Sequence, residues 1–449
     1  MGRRGLFAAL LVGSCLAVGA CKNNVESENA AALEGEGNTQ VAQALFVAPA
    51  NCDTPTTPFC NSKVAPPADP GHLFTLAQNY PAAPGPATGP WMAIDAQKQP
   101  EKYLQAVLGY FYQGNIRPDV ETSFDPALNK LRGWYNAPWQ DFGPNGREPL
   151  HGLTRERVSL PQELAPTQAS KWNNYAVGFY NAPGGYTIGR VWANHGKPNA
   201  TLANFPEGTV AGKLLFTTAD EKEVPYLAGA PTWTAYIYKD VHNPNPKAGD
   251  PRAKTPVRLL QIDIAVKDKR APLGWYFGTF VYGGGPGGKP GKGWENVAPV
   301  GFMWGNDPGY SGSGPLQETK LNAAVHMPHY GYQNRLNGPV DNPVSSCMSC
   351  HATAQLPSVP MIPKTTGDPA WFQDIHSGQP SAQCPPGKPA TQPGQCGTPE
   401  DFSLQLWVGL VNFGESHRLD KAPPAQKAAL VKQLLENDTR TPRDGGTHH

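Results

Sequence analysis

The sequence Cys-Met-Ser-Cys-His at residues 347–351 constrains this 449-residue chain more than any other feature. The spacing C-x-x-C-H places two thiols within reach of the two vinyl groups of haem, and an imidazole follows them directly. The pattern therefore predicts one covalently attached c-type haem. Cys347 and Cys350 are the expected attachment residues, and His351 is the expected axial ligand of the iron.

Zinc sites and redox dithiols also use closely spaced cysteines. A zinc site needs a second pair of Cys or His ligands, and Cys384 and Cys396 are too far apart in sequence to form a local pair. A thioredoxin-like dithiol starts a helix after a strand, whereas Asp-Asn-Pro at residues 341–343 precedes this motif. The sequence thus favours haem over both alternatives.

The amino terminus has the organisation of an export signal. Two arginines precede an apolar run at residues 6–18, which is shorter than the roughly twenty residues that span a bilayer. The Val-Gly-Ala-Cys sequence that follows resembles a bacterial lipobox, in which the cysteine becomes the acylated first residue. We expect residues 1–20 to be a signal peptide and Cys21 to be lipidated, with an ordinary signal peptide as the alternative.

The predicted lipid implies a membrane as a partner of the chain. Acyl chains on Cys21 would insert into one leaflet and tether the protein there. Lys22 follows the cysteine, and by resemblance to Gram-negative sorting this residue favours the outer membrane. Residues 21–66 have the composition of a flexible tether, with little periodicity. The sequence predicts a lipoprotein at the periplasmic face of the cell envelope, in the outer membrane.

Four cysteines remain once Cys15 is assigned to the signal and the others to lipid and haem. An even number in an exported protein suggests two disulfides. The simplest pairing joins near neighbours, Cys52 with Cys60 and Cys384 with Cys396. The sequence also allows the crossed pairings.

Composition bears on the other partners. A net charge of +1 with 16% charged residues gives no electrostatic basis for binding nucleic acid. A glycine-rich run at residues 283–290 resembles a phosphate-binding loop, but Pro290 occupies the Ser or Thr position that would hold magnesium, so no nucleotide is expected. The 49 Gly, 49 Pro and 43 aromatic residues (11 Trp, 16 Tyr and 16 Phe) favour a turn-rich β protein.

The hydrophobic pattern predicts a mainly β fold of the α+β class. Apolar residues at three- and four-residue spacing predict helices over residues 100–113 and 424–437. A β-hairpin is predicted from strands at residues 175–180 and 186–192, joined by a glycine-rich turn. Further strands are predicted at residues 209–216, 233–238, 257–266, 275–282 and 297–304.

The chain after the tether divides into three parts. Residues 67–169 are an N-terminal helix and loop region, residues 170–355 a β-sheet haem core that ends in the motif, and residues 356–449 a Pro/Gly-rich loop with a C-terminal helix and tail. The expected architecture is an antiparallel sheet packed over one haem, with a few flanking helices and long loops. Trp275 is the tryptophan best placed to contact the haem.

Three segments carry a family resemblance. They are Phe-Pro-Glu-Gly-Thr-Val-Ala-Gly-Lys at residues 205–213, the aromatic strand at residues 274–280 and the haem motif. Together they resemble the P-four-sixty cytochromes and their relatives, the β-sheet cytochromes c prime. The resemblance implies a sheet over one haem, His351 as proximal ligand and a distal side open to small molecules such as hydroxylamine or nitric oxide. In the enzyme branch, the lysine that matches Lys213 is bonded covalently to the porphyrin.

The surroundings of the motif resemble a second group. The run Asn-Pro-x-Ser-Ser-Cys-Met-Ser-Cys-His is similar to that of long bacterial monohaem lipoproteins. This resemblance implies the same combination of lipid anchor and single haem.

The sixth position of the iron decides what such a haem can do. Met361 follows His351 by ten residues, enough extended chain to pass around a porphyrin edge, and a thioether there would suit electron transfer. Lys213 is the other distal candidate, through the cross-link that the resemblance implies. A bis-histidine site would draw on His326, His329, His376 or His417. A vacant or water-filled position is the remaining alternative.

These features lead to three functional expectations. The first is an exported monohaem c-type cytochrome that passes single electrons to a redox partner protein or binds a small diatomic ligand. The second is a P-four-sixty-like oxidoreductase acting on hydroxylamine or a related small nitrogen compound. The third is a structural lipoprotein in which the haem is ancillary.

Overall fold

The computed structural model describes residues 76–117, 124–140, 153–246, 250–286, 288, 291–382, 397–421, 423 and 426. The helices in these segments are α1 (Pro100–Tyr112), α2 (Ala182–Val191), α3 (Cys347–His351) and α4 (Leu404–Lys421). The strands are β1 (Thr154–Arg155), β2 (Asn174–Tyr180), β3 (Val210–Thr217), β4 (Thr232–Tyr238), β5 (Arg252–Lys267), β6 (Trp275–Tyr282), β7 (Val297–Met303), β8 (Thr319–Leu321), β9 (Gln355–Leu356) and β10 (Thr398–Pro399).

Eight of these strands form one antiparallel sheet in the order β1-β2-β3-β5-β6-β7-β8, with β4 also paired to β5. The long strand β5 pairs with β3 along one edge, and along its other edge it pairs first with β4 and then with β6. The predicted mainly β fold is confirmed. The five further strands predicted from the sequence are present as β3 to β7, and β5 begins at Arg252 rather than at residue 257.

Helix α1 covers one face of the sheet, which we call the helix face. A proline in its first turn fits the fixed φ of that residue to the start of a helix. Its apolar stripe then packs on an apolar layer contributed by β2 to β7. The buried residues of the stripe are Tyr103, Leu104, Val107 and Phe111. The predicted helix is thus confirmed to within one residue of its end.

Two glycines let α1 approach the backbone of the sheet. Gly212 of β3 and Gly278 of β6 lie on either side of Ile264 in the strand register. A Cβ atom at Gly212 would lie 2.2 Å from the ring of Phe111, and one at Gly278 would lie 2.3 Å from the side chain of Leu104. Only glycine therefore allows the helix to pack at this distance.

The prediction of a β-hairpin is wrong in its second strand, at residues 186–192. The first strand is present as β2, but the chain after it forms α2 and β3 becomes the neighbour of β2. Asn181 caps α2 by accepting a hydrogen bond from the backbone N–H of Gly184, and Pro183 lies in the first turn. Ile188 and Val191 are buried at helical spacing. The Asn-Ala-Pro-Gly-Gly sequence is therefore a capped helix start and not a hairpin turn.

The opposite face of the sheet, which we call the cavity face, is also buried. Its apolar side chains pack beneath the C-terminal part of the chain, which includes α3 and α4. As a result all eight residues of β6 are buried. Burial on both faces explains why this strand is mostly aromatic and aliphatic, with Thr279 as its one polar residue, and does not alternate regularly with polar residues.

Some sequence predictions fall on residues outside the described segments. These are the signal peptide, the lipidated Cys21, the tether, the disulfide candidates Cys52, Cys60, Cys384 and Cys396, and nearly all of the helix over residues 424–437. Within the described segments, no helix is both long and apolar enough to cross a bilayer.

Candidate functional site

The Cys-Met-Ser-Cys-His motif forms the short helix α3, and this helix begins with a capping box. The hydroxyl of Ser346 accepts from the backbone N–H of Ser349, whose own hydroxyl accepts from the backbone N–H of Ser346. The Ser346 hydroxyl also donates to the side chain of Asn306 over 2.9 Å. The backbone N–H of Cys347 donates to the carbonyl of Leu336. These bonds fix the motif to two neighbouring loops.

A cavity lies between α3, the cavity face of the sheet and the chain that enters α4. Its empty space is about 1280 Å³, including its opening to solvent. Both thiols and the imidazole of the motif line this cavity. Its aromatic lining consists of Tyr180, Trp275, Phe277 and Phe402.

His351 is oriented by a backbone carbonyl. Its Nδ1 atom lies 2.7 Å from the oxygen of Phe402, and its ring centroid lies 4.9 Å from that of Phe277. A hydrogen bond at Nδ1 holds the proton there and leaves Nε2 available as a ligand. Burial lowers the pKa of His351 to about 4, against the opposing effect of the Phe402 bond. The imidazole is therefore neutral at pH 7, which is the form that binds metals.

The two thiols of the motif are free of disulfide bonds. The sulfur of Cys347 lies 3.6 Å from the hydroxyl oxygen of Thr279. Burial raises the pKa of the Cys350 thiol to about 12 and also raises that of the Cys347 thiol well above its ordinary value. A redox-active dithiol needs a thiol whose pKa is lowered, so these surroundings do not suit the dithiol alternative.

Lys213 lines the same cavity as the motif. In the strand register it lies between Gly178 of β2 and Asp263 of β5. Its Nζ atom is 3.2 Å from a carboxylate oxygen of Glu156, and its side chain is 31% exposed. Burial opposes the charge of the ammonium, but Glu156, Asp263 and Asp341 together outweigh this effect and raise the pKa of Lys213. The sheet thus places a cation on the cavity wall.

Two carboxylates beside this lysine share one amide. The Nε2 atom of Gln261 donates to both oxygens of Asp263, over 2.9 and 2.8 Å, and to Asp341 over 2.9 Å. Thr279 donates to Asp263 over 2.9 Å. Burial is the main cause that raises the pKa of Asp263 well above its ordinary range, and the negative charge of Asp341 is the second. Sequence reasoning missed these residues, although the alternation in β5 already placed Gln261 and Asp263 on one face.

Met361, which the sequence suggests as a candidate ligand of the iron, lines the cavity, as Lys213 does. It is 9% exposed and packs with Trp407 and Val408 of α4, beside Cys350. The structure therefore brings this thioether to the same cavity as the motif.

The lone histidines are placed differently. The three whose side chains are described, His326, His329 and His376, are not among the residues that line the cavity. His326 and His376 are exposed, and burial lowers the pKa of His329. The side chain of His417 lies outside the described part of the chain.

The donor set can be compared with what different metal groups need. Among the side chains that the structure describes, no group of three or more His, Cys, Asp or Glu could hold a metal ion. A covalent haem needs only two thiols and one axial donor from the chain. Cys347, Cys350 and His351 provide these at a wall of the aromatic cavity, so the residues present fit that group.

No protein-family model, curated protein or solved structure matches this chain.

Proposed function

We propose that this protein is an exported monohaem c-type cytochrome, in which Cys347 and Cys350 form thioethers with the haem and His351 binds its iron. The observation that carries the proposal is the meeting of two free thiols and one oriented imidazole at a single aromatic cavity. The haem, when bound, supplies one-electron chemistry. The chain supplies attachment, the axial ligand and the surroundings that set the reduction potential.

The residues around the cavity suit electron transfer because they are held on regular structure. Phe277 and Trp275 lie on the central strand β6, and the indole N–H of Trp275 donates to Asp401 over 3.0 Å. Sites built on strands are held more precisely than sites built on loops. These side chains also shield one part of the cavity from water.

Expression in cells that attach haem to cytochromes tests the proposal. The purified protein should carry one haem per chain that remains with the polypeptide after denaturation. A Cys347→Ala, Cys350→Ala double variant should lose this covalent haem. Met348→Leu, which changes an intervening residue of the motif, is the matched control and should keep it. A haem-free parent protein from cells that attach haem to a control cytochrome would overturn the proposal.

The opposite side of the iron separates electron transfer from the binding of small ligands. Met361 lines the cavity and is the thioether available for that position. An electron carrier should give a six-coordinate low-spin spectrum that does not respond to carbon monoxide, and Met361→Leu should convert it to high spin. A high-spin parent spectrum that shifts with carbon monoxide would instead support ligand binding.

A second candidate function is oxidation of hydroxylamine or a related small nitrogen compound. The observation that favours it is the position of Lys213, which lines the same cavity as the motif and matches the cross-linked lysine of the resembling enzymes. Mass spectrometry of the digested protein should then find haem joined to the Lys213 peptide. Lys213→Arg should abolish this link and hydroxylamine-dependent dye reduction, whereas Lys239→Arg at an exposed position should change neither. The absence of either the haem–Lys213 link or the dye reduction in the parent protein would exclude this function.

We also propose that lipid on Cys21 anchors the protein at the periplasmic face of the envelope, in the outer membrane. The lipobox-like sequence supports this proposal. Labelled palmitate should enter the parent protein but not a Cys21→Ser variant. Equal labelling of both proteins would contradict the anchor.

A further inference from the structure

Asp401 and Phe402 adopt an unusual backbone conformation just before α4. Their φ angles are 46° and 64°, in the left-handed region. This region costs residues with a side chain on the order of 1 kcal/mol or more each. Surrounding contacts must therefore hold the segment in place, and those contacts converge on the carboxylate of Asp401.

The carboxylate of Asp401 is fully buried and accepts hydrogen bonds from four residues. Lys267 of β5 donates to it over 2.8 Å, and the indole of Trp275 of β6 donates over 3.0 Å. Ser377 donates over 2.6 Å, and the backbone N–H of Phe205 donates over 2.9 Å. Two central strands of the sheet thus hold this one side chain.

Phe402, the residue after Asp401, connects this anchored segment to the imidazole of His351. The carbonyl oxygen of Phe402 is the acceptor for Nδ1 of His351. Because Asp401 and Phe402 share a peptide bond, an anchored carboxylate restricts where this carbonyl can point. The orientation of His351 is therefore set by the sheet as well as by α3.

We propose that Asp401 is a positioning residue for the axial imidazole. Its buried ion pair with Lys267 holds the Phe402 carbonyl against Nδ1 of His351 and so sets the donor strength of Nε2 toward the haem iron. The inference rests on the proposed haem function. A hydrogen bond at Nδ1 makes imidazole a more basic ligand, and a more basic ligand stabilises the ferric state and lowers the reduction potential.

Asp401→Asn in the full-length, haem-loaded protein tests this role. The amide keeps the size of the side chain but loses the ionic attraction to Lys267. We expect an unchanged haem content, a higher reduction potential and faster solvent exchange of the Nδ1 proton of His351 in the NMR spectrum of the reduced protein. Loss of the buried negative charge would by itself raise the potential, so the exchange of the Nδ1 proton is the readout that a merely structural role would not change.

Asp268→Asn is the matched control. The buried carboxylate of Asp268 pairs with the partly exposed Arg270 and accepts from Tyr103 of α1, away from the cavity. This variant should lose stability without a change in potential.

Ser377→Ala keeps the test decisive if Asp401→Asn fails to fold. It removes the 2.6 Å hydrogen bond to Asp401 and leaves the charges in place, so a smaller shift in the same direction is expected. A haem-loaded parent protein whose potential and proton exchange are unchanged by the folded variants would overturn the positioning role and leave the proposed function intact. A parent protein without haem would overturn the function itself.

Discussion

The Nδ1 atom of His351 lies 2.7 Å from the carbonyl oxygen of Phe402, a residue 51 positions further along the chain. The motif and the group that orients its imidazole therefore come from separate parts of the sequence. Between them the chain passes through a Pro/Gly-rich stretch. The imidazole is correctly oriented only once the segment before α4 has docked on α3.

Ser346→Ala should destabilise the protein by about 1 to 2 kcal/mol, because it removes the N-cap of α3 and the bond to Asn306. Urea denaturation followed by tryptophan fluorescence measures the loss. The exposed Ser311→Ala is the control and should change the free energy of unfolding by less than about 0.5 kcal/mol. Equal effects of the two substitutions would contradict a capping role.

Glu400→Gln should stabilise the protein at neutral pH. The Glu400 side chain is fully buried, neither of its carboxyl oxygens has a hydrogen-bond partner, and burial raises its pKa from 4.5 to about 9. Below pH 4.5 the group is protonated in both the folded and unfolded states. As pH rises from 4.5 toward 9, the unfolded chain ionises while the folded chain keeps its proton, so stability falls.

The glutamine cannot ionise and should remove this loss, which is on the order of 3 kcal/mol at pH 7. Thermal unfolding between pH 5 and pH 9 measures it, and the gap between parent and variant should widen with pH. Glu221→Gln at an exposed position is the matched control and should show no such widening. A difference in melting temperature between the parent and Glu400→Gln that stays constant with pH would contradict the prediction.

Gly212→Ala should destabilise the protein by about 1 to 3 kcal/mol, because its Cβ would lie 2.2 Å from Phe111 of α1. Gly109→Ala on the exposed side of the same helix is the control, since nothing lies within 4 Å of its added Cβ. That variant should stabilise the protein by about 0.5 to 1 kcal/mol. Chemical denaturation of both variants checks the opposite signs, and a stabilising Gly212→Ala would refute the close packing of α1.

Asp341→Asn should flatten the pH dependence of stability. Burial and the charge of Asp341 raise the pKa of Asp263, so the folded chain keeps a proton that the unfolded chain loses above about pH 3.8. Stability therefore falls as pH rises from there through the folded pKa. Removing the neighbouring charge lowers that folded pKa and shortens the range of pH over which stability is lost.

Melting temperatures between pH 4 and pH 8 compare Asp341→Asn with the parent protein, and the contribution of Glu400 is common to both. Asp240→Asn at an exposed position is the control. Superimposable pH profiles of the Asp341 variant and the parent would show that the two carboxylates do not interact.

Local sequence pattern predicted much of the fold. Strand β6 coincides with its predicted residues, and α1 was identified from its apolar spacing. The pattern failed at α2, where aromatic and β-branched residues were interpreted as a strand. There the Asn181 cap and burial of Ile188 decide in favour of a helix, and neither the cap partner nor the burial can be read from strand propensity.

The candidate site was only partly predictable. The motif is contiguous, so its spacing identified Cys347, Cys350 and His351, and the family resemblance singled out Lys213. The carboxylates of Asp263 and Asp401 acquire their surroundings through strand pairing and through contacts between distant parts of the chain. No local pattern distinguishes them from the other acidic residues of this region.

The complete burial of β6 also has a consequence for how the protein folds. A sheet that buries large apolar side chains on both faces exposes apolar surface until both coverings are present, and such intermediates aggregate. The helix-face covering is synthesised before the strands, whereas α4 is synthesised after them. Folding should therefore finish as one cooperative step after α4 is available, and loss of that helix should yield insoluble protein rather than a smaller stable domain.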